Sequence, residues 1–247
     1  VADVNDRYYA RVLDGRTDYW RKMAAPRFRV ETLVAELRRE PPRALVDLGC
    51  GNGELLAEIS RRLPGVALAG VDLSAEQIAA NRESLPAVDW HVRDLDDETP
   101  LPESLLGRFG AVIAAEVIEH VAAPERLLLN ARRLAASGGR LLLSTQSGRI
   151  HETERRVGHL RHFTQEGMRA LLAATGWTPE RVWNSGYPFH DWSKRAANWA
   201  PDATMREFSG RPYGWSQNAV CFALRAAFRL NSQSRGAQLF AVARKNS

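Results

Sequence analysis

The sequence predicts an α/β protein built on a doubly wound, mostly parallel sheet. Three observations carry that expectation. Short apolar runs of strand length alternate with helix-length segments along most of the 247 residues. The first such run, around Leu45, Val46 and Leu48, is continuously apolar, as a strand covered on both faces requires. It leads straight into Gly49, Gly51 and Gly53, a turn that lets a ligand approach the main chain. The helix that starts at about Glu54 then offers free N–H groups beside that turn.

Residues 1–25 are mixed in polarity and aromatic, with Tyr8, Tyr9, Tyr19 and Trp20. A helix from Pro26 places Val30, Leu33, Val34 and Leu37 on one face, and Glu40-Pro41-Pro42 stops it. The first strand covers 44–49, and the helix after it carries Leu55, Ile59 and Leu63. A second strand at 66–72 precedes a helix from Ser74 to Leu85, with Ser74 as N-cap and Gln77 three residues on. Strands follow at 88–93 and 110–115, then a helix from Pro124 to Ala136. Gly138-Gly139 is read as a break before a strand from Arg140 to Ser144. A helix from Thr164 to Thr175 ends at Gly176, a sixth strand covers 180–183, and the last covers 238–244.

One segment breaks the alternation. Residues 184–236 are too many for a plain loop and hold Tyr187, Phe189, Trp192, Trp199, Tyr213 and Trp215, with a helix-like run at 219–230. The expectation is a lid or substrate-facing subdomain whose aromatic side chains build a closed apolar pocket. A helical elaboration that only packs is the alternative. The division expected is a helical cap at 1–40, a ligand-binding core at 41–183, the inserted lid at 184–236 and a final core strand at 237–247.

Composition sets outer bounds. No apolar run approaches a transmembrane helix, and the polar, acidic start does not read as a signal peptide. Cys50 and Cys221 lie in unrelated stretches, so no disulfide is expected and a reducing cytoplasm fits. The net charge of +5 permits an anionic partner without requiring one, because Lys and Arg look dispersed apart from one Arg- and His-rich loop. Neither a membrane nor a nucleic acid is expected as a partner, and oligomeric state is left open.

The spacing of the glycine turn narrows the ligand. A dinucleotide fingerprint needs a glycine where this chain has Glu54. Asp47, two residues before Gly49, would repel a pyrophosphate and suit a cationic ligand. Asp72 ends the second strand about 20 residues later, the offset of an acid that binds both ribose hydroxyls. A helix-adjacent surface acid is the plainer reading of Asp72.

The stretch Asp47-Leu48-Gly49-Cys50-Gly51-Asn52-Gly53 resembles motif I of the class I S-adenosylmethionine-dependent methyltransferases. The resemblance implies a Rossmann-like methyltransferase fold, with a seven-stranded, mostly parallel sheet, an antiparallel last strand and helices on both faces. It implies S-adenosylmethionine as cofactor, held around Asp47, Gly49, Cys50, Gly51 and Gly53, with Asp72 on the ribose and Leu73 beside the adenine. Asp94 matches the acid that faces the adenine amino group in the family, followed by Leu95, with Asp96 and Asp97 as alternatives. The stretch 29–33 is similar to one that precedes motif I in ubiquinone-pathway O-methyltransferases, which implies that Arg29 lies near the cofactor carboxylate.

Glu116-Val117-Ile118-Glu119-His120 resembles the E-x-x-E-H motif of a branch containing ubiquinone-pathway and many small-molecule methyltransferases. The resemblance places Glu116 at the methionine end of the cofactor, and Glu119 and His120 toward the methyl acceptor. His120, or His159 or His162 of the downstream loop, is the candidate general base. Glu116, Glu119 and His120, with His159 or His162 as a further ligand, form a second-choice metal set, on the precedent of the small-RNA 3′-terminal 2′-O-methyltransferases, but no metal is expected. Arg149, Arg155, Arg156 and Arg161 are read either as a clamp for an anionic acceptor or as a solvated loop with internal ion pairs.

The expected function is methyl transfer to an oxygen or nitrogen of a small molecule, of specialised metabolism or anionic. The alternatives are a metal-dependent RNA-end methyltransferase and a protein that uses the fold without methylating.

Overall fold

The computed structural model describes residues 18–97, 101–208 and 212–246; Tyr8 and Tyr9 lie outside them. Two helices, α1 (Asp18–Lys22) and α2 (Ala24–Arg39), precede strand β1 (Ala44–Leu48). The chain then alternates through α3 (Glu54–Arg62), β2 (Ala67–Asp72), α4 (Ala75–Ser84), β3 (Asp89–Val92), β4 (Phe109–Ala115), α5 (Pro124–Leu134) and β5 (Ala135–Gln146). After α6 (Glu152–Arg156) and α7 (Gln165–Ala174) comes β6 (Trp177–Ser185). Three helices, α8 (Phe189–Trp199), α9 (Pro201–Phe208) and α10 (Trp215–Phe228), separate it from β7 (Gln238–Lys245).

The strands form one seven-stranded sheet in the order β3-β2-β1-β4-β5-β7-β6. β1 pairs in parallel with β2 and β4, β2 with β3, and β4 with β5. β7 runs antiparallel to both β5 and β6, as the expected final strand does. The strand order reverses between β1 and β4, and a crevice at the carboxyl ends of such strands is where ligands of open α/β sheets bind.

Each face of the sheet carries its own apolar layer. Val46 and Leu48 join Leu127, Leu128, Leu141 and Leu143 on one face. Leu45 joins Leu33, Leu37, Leu56 and Ile59 on the other. The three β1 side chains are fully buried, each worth about 1.5–3 kcal/mol. This double burial is why β1 reads as a continuous apolar run.

Two boundaries differ from the sequence expectation. Gly138-Gly139 does not separate helix from strand: β5 already begins at Ala135, opposite Phe109. The register then shifts, so that Ala111 faces Arg140. Gly138 takes a φ of 67°, and a Cβ on Gly139 would meet Phe109 O at 2.9 Å, so the pair forms a bulge inside the strand. β6 extends beyond the expected 180–183 in both directions, anchored by buried Trp177, whose indole donates to Leu128 O at 3.1 Å. No helix among the described residues is long and apolar enough to cross a membrane.

Candidate functional site

The turn after β1 is built from main-chain bonds. Gly49 N and Cys50 N both donate to Val71 O, at 2.8 and 3.1 Å, fastening the turn to the end of β2. Asp72 completes the junction: its carboxylate accepts from Gly51 N at 2.8 Å and from Ser74 N at 3.0 Å. Asn81 of α4 donates to Gly51 O at 2.8 Å. The acid expected on a ribose therefore also ties the glycine turn to the start of α4.

Two glycines serve different ends. A Cβ on Gly49, at φ 70°, would lie 2.4 Å from Val117 Cγ2. A Cβ on Gly51, at φ 48°, would meet nothing within 4 Å. Gly49 thus lets Val117 pack against the turn, whereas Gly51 presents bare main chain to open space, the approach a ligand needs.

That space is a cavity of about 240 Å³. Asp47, Gly49, Cys50, Gly51, Asp72, Leu73, Asp94, Leu95, Glu116 and Arg29, all expected from the sequence, line it, as does His120. Gly53 does not; it is the N-cap of α3 and packs near Trp90 and Asn81. Cys50 is only 6 % exposed, and burial, then the Asp47 charge, pushes its thiol well above the ordinary range, so it is inert. Asp94 accepts from Asp96 N at 2.8 Å, while Asp96 accepts from Ala122 N and Ala123 N at 2.7 and 3.1 Å. Asp96 is therefore tied to the entry of α5. Asp97 is not among the residues that line the cavity.

Asp47 is the electrostatic oddity of the cavity. It is 2 % exposed, and its Oδ1 has no hydrogen-bond partner among the described residues. Burial, then the nearby Asp72 charge, raises its carboxyl well above the usual range. A bare carboxylate oxygen in such a place calls for a cation.

Glu116 is held in a strained conformation at the end of β4, with φ 57° in a region that disfavours side chains. Its carboxylate accepts from Ser144 Oγ at 3.0 Å, Gln146 Nε2 at 2.7 Å and Gln238 Nε2 at 2.8 Å, with Arg29 Nη1 at 3.8 Å. Burial opposes its ionisation, but Arg29 and the two glutamines win and hold its carboxyl at about 2. Glu116 is thus a fixed, fully engaged anion beneath the cavity.

Glu119 does not face the cavity. It is fully buried, accepts from Thr145 Oγ1 at 2.8 Å, and burial followed by the Glu116 charge raises its carboxyl well above normal. The three candidate histidines do assemble. His120 and His159 meet edge-on at 4.7 Å, and His159 Nδ1 lies 3.1 Å from His162 Nε2. Burial lowers His120 to about 4 and His159 to about 3, so both are neutral at pH 7.

The row continues into residues no motif marked. His162 Nε2 is 3.7 Å from Glu154, which pairs with Lys194 of α8 at 2.6 Å. Glu119, His120 and His159 each bring one ligand atom within 4.8 Å of the others, and so do Glu154, His159 and His162. Glu119, His120 and His159 of the second-choice metal set are thus brought together, and Glu116 belongs to neither group.

Sequence reasoning also missed Trp20, Gln77 and Arg93, which line the cavity. Trp20 stood out only as an aromatic residue before the first expected helix. Of the loop arginines, Arg156 pairs with Glu152 inside the loop and with Asp202 outside it, and Arg161 donates to the main-chain carbonyl of Ala122. Arg149 and Arg155 are exposed.

A family model described as a methyltransferase domain matches residues 19–182. A ubiquinone biosynthesis O-methyltransferase of Xanthomonas oryzae is 36% identical over 121 residues, 47% of this chain and 48% of the relative. A trans-aconitate 2-methyltransferase of Methylobacterium radiotolerans is 31% identical over 161 residues, 56% of this chain and 57% of the relative. The chain thus spans about half the length of these curated relatives. Among solved structures, the 1,6-didemethyltoxoflavin-N1-methyltransferase of Burkholderia thailandensis superposes with a TM-score of 0.61 at 19% identity, covering 100% of this chain and 89% of its own. The [4+2]-cyclase SpnF gives 0.57 at 19% identity, covering 88% and 80%. At such identities these structures speak to the fold alone.

Proposed function

The chain belongs to the methyltransferase-domain family, and from that premise we propose that it moves a methyl group from S-adenosylmethionine to an oxygen or nitrogen of a small molecule. The observation that carries this reading is Asp47 Oδ1, a buried carboxylate oxygen without a partner, in a cavity closed by a glycine turn. S-adenosylmethionine supplies a cationic ammonium, a sulfonium and two ribose hydroxyls, and the residues present fit each of them. Asp47 would hold the cationic end, Asp72 the ribose, Asp94 and Leu95 the adenine, and Arg29 the carboxylate. When bound, the cofactor supplies an electrophilic methyl group.

The protein's own share is to bind, orient and exclude water. Arg29 and Glu116 neutralise one another at the floor of the cavity, so that region keeps its shape whether or not a ligand is present. His120 stands at the wall as a neutral imidazole and can take a proton from an acceptor hydroxyl. His159 and His162 extend that capacity toward Glu154. An amine acceptor needs only to arrive unprotonated. The helices of 184–236 are read as the acceptor-side lid, through Lys194, which donates to Gln146 Oε1 at 2.9 Å beside the Glu116 network. Arg149 and Arg155, which have no ion-pair or hydrogen-bond partner among the described side chains, suit an acceptor with a carboxylate or phosphate.

The relatives favour a small acceptor over an RNA end, since by their names one serves ubiquinone biosynthesis and another methylates trans-aconitate. Calorimetric titration with S-adenosylmethionine and its demethylated product tests the cofactor. Methyl-labelled cofactor with a panel of small alcohols, phenols, acids and amines tests the transfer. Binding of neither nucleoside to folded protein overturns the reading. Asp72→Ala is expected to weaken binding by about 1.5–3 kcal/mol, through lost charged hydrogen bonds.

A further inference from the structure

The 184–236 segment buries Tyr213 and Phe228 but leaves its tryptophans Trp192, Trp199 and Trp215 exposed, which a closed pocket would not. The four most exposed large apolar side chains among the described residues all lie in it: Trp199 at 93 %, Trp215 at 87 %, Phe222 at 78 % and Leu230 at 72 %. Helix α10 concentrates them. Gln217, Cys221, Leu224 and Phe228 make its inward stripe, with Cys221 Sγ 3.5 Å from Met23 Sδ and the Phe228 ring 6.1 Å from that of Phe28. Trp215, Ala219, Phe222 and Ala226 recur at i, i+4, i+7 and i+11, which sets a second apolar stripe on the opposite, exposed side. Leu230 follows just past the C-cap.

Charge accompanies this stripe. The segment 184–236 holds seven Lys and Arg against three Asp and Glu, a net +4 of the chain's +5. The side chains of Arg225 and Arg229, one helical turn apart, have no ion-pair or hydrogen-bond partner among the described residues. Both line a groove against α2, where Arg39 and Arg181 are each paired with Glu36, which leaves Arg225 and Arg229 as its unpaired cations among the described residues. Lys and Arg are no denser here than in the chain as a whole, 7 of 53 residues against 34 of 247, so they stay dispersed and the segment's net charge comes from its few acids.

We propose that α10 docks this protein on the surface of an anionic lipid bilayer. Trp215, Phe222 and Leu230 enter the boundary between headgroups and acyl chains, and Arg225 and Arg229 meet lipid phosphates. An interfacial helix needs this combination of an apolar stripe with Trp, Phe and Leu, a cationic flank and modest length. A membrane-spanning role is not implied, and an anionic bilayer is favoured over a protein partner by the pairing of unneutralised arginines with protruding aromatic rings. The inference stands apart from the methyl-transfer reading, since the stripe faces away from the packed side of the helix.

Flotation of the full chain with vesicles tests it, using phosphatidylcholine alone and phosphatidylcholine mixed with phosphatidylglycerol. The expected result is binding at least about tenfold tighter to the anionic vesicles, weakening as salt rises. Arg225→Gln with Arg229→Gln is expected to lower that binding about 30-fold. Phe222→Ser is expected to lower it about tenfold or more. These side chains are exposed, so the variants keep the thermal melt and the affinity for S-adenosylhomocysteine of the parent, which separates failed docking from failed folding. Absence of vesicle binding, equal binding to both vesicle types, or variants that bind as the parent does each overturns the proposal. So does concentration-dependent self-association that Phe222→Ser abolishes without any vesicle binding, which assigns the stripe to a second copy.

Discussion

Asp47 carries a cost that only a ligand offsets. Its Oδ1 lacks a partner, and its surroundings disfavour the charge. Asp47→Asn removes that charge at unchanged size. The expected outcome is an unliganded protein more stable by about 1 kcal/mol, a rise of about 2–4 °C in melting temperature, because active sites store such penalties. The same variant is expected to lose about 1.5–3 kcal/mol of affinity for S-adenosylhomocysteine. Scanning calorimetry and titration calorimetry check the two halves, and a variant that gains stability without losing affinity contradicts the assignment. His120 gives a second expectation. It must be neutral to accept a proton, and burial already keeps it so down to about pH 4. With saturating cofactor and an acceptor that does not itself titrate there, kcat should stay level from about pH 8 to about pH 6 and fall only toward pH 4. An inflection near pH 6.5 instead indicates a base with an ordinary, solvated imidazole.

At the scale of elements, the β1–α3 turn separates two demands that its sequence merges. Gly49 and Gly51 both have positive φ, so alanine at either costs about 1–2 kcal/mol in conformation. Only at Gly49 does the new methyl also collide, at 2.4 Å from Val117. Gly49→Ala should therefore destabilise by about 2–4 kcal/mol in thermal unfolding, and Gly51→Ala by little beyond its conformational term. Gly51→Ala should instead weaken nucleoside binding, because its methyl fills the ligand's approach; equal effects on both properties for the two variants would refute this division. The turn itself was legible, since it depends on residues adjacent in sequence. So were the central strands such as β1 and β4, whose double burial leaves continuous apolar runs, whereas the bounds of β6, an edge strand with exposed positions, were not. Glu116's network was not, because Gln238 reaches it from 122 residues away and nothing local marks either glutamine as its partner. The outward stripe of α10 was equally hidden. Aromatic residues at helical spacing look the same whether they face a core or solvent, and here α10 uses both faces.

Across the whole molecule, buried ionisable groups set opposing pH dependences, and the cofactor should cancel one of them. His120 and His159 have folded values of about 4 and 3, below the ordinary 6.5. Their contribution to stability is present above pH 6.5 and is lost as pH falls through that range, since unfolding then takes up protons. Asp47 and Glu119 act the other way: raised in the fold, they contribute at low pH and lose that contribution as pH rises through their folded values. Above pH 6.5 the histidines no longer change, so they leave the dependence set by the raised carboxyls undisturbed there. A cation beside Asp47 favours its ionised form and removes the penalty for that residue alone. The melting shift produced by saturating S-adenosylhomocysteine should therefore grow as pH rises from the ordinary carboxylate range through the raised folded value of Asp47. In Asp47→Asn, whose side chain does not titrate, the shift should be smaller and nearly independent of pH, while Glu119 still gives both proteins a common downward slope. A ligand shift that is level with pH in the parent, or that keeps its slope in Asp47→Asn, would mean that the cation sits elsewhere in the cavity.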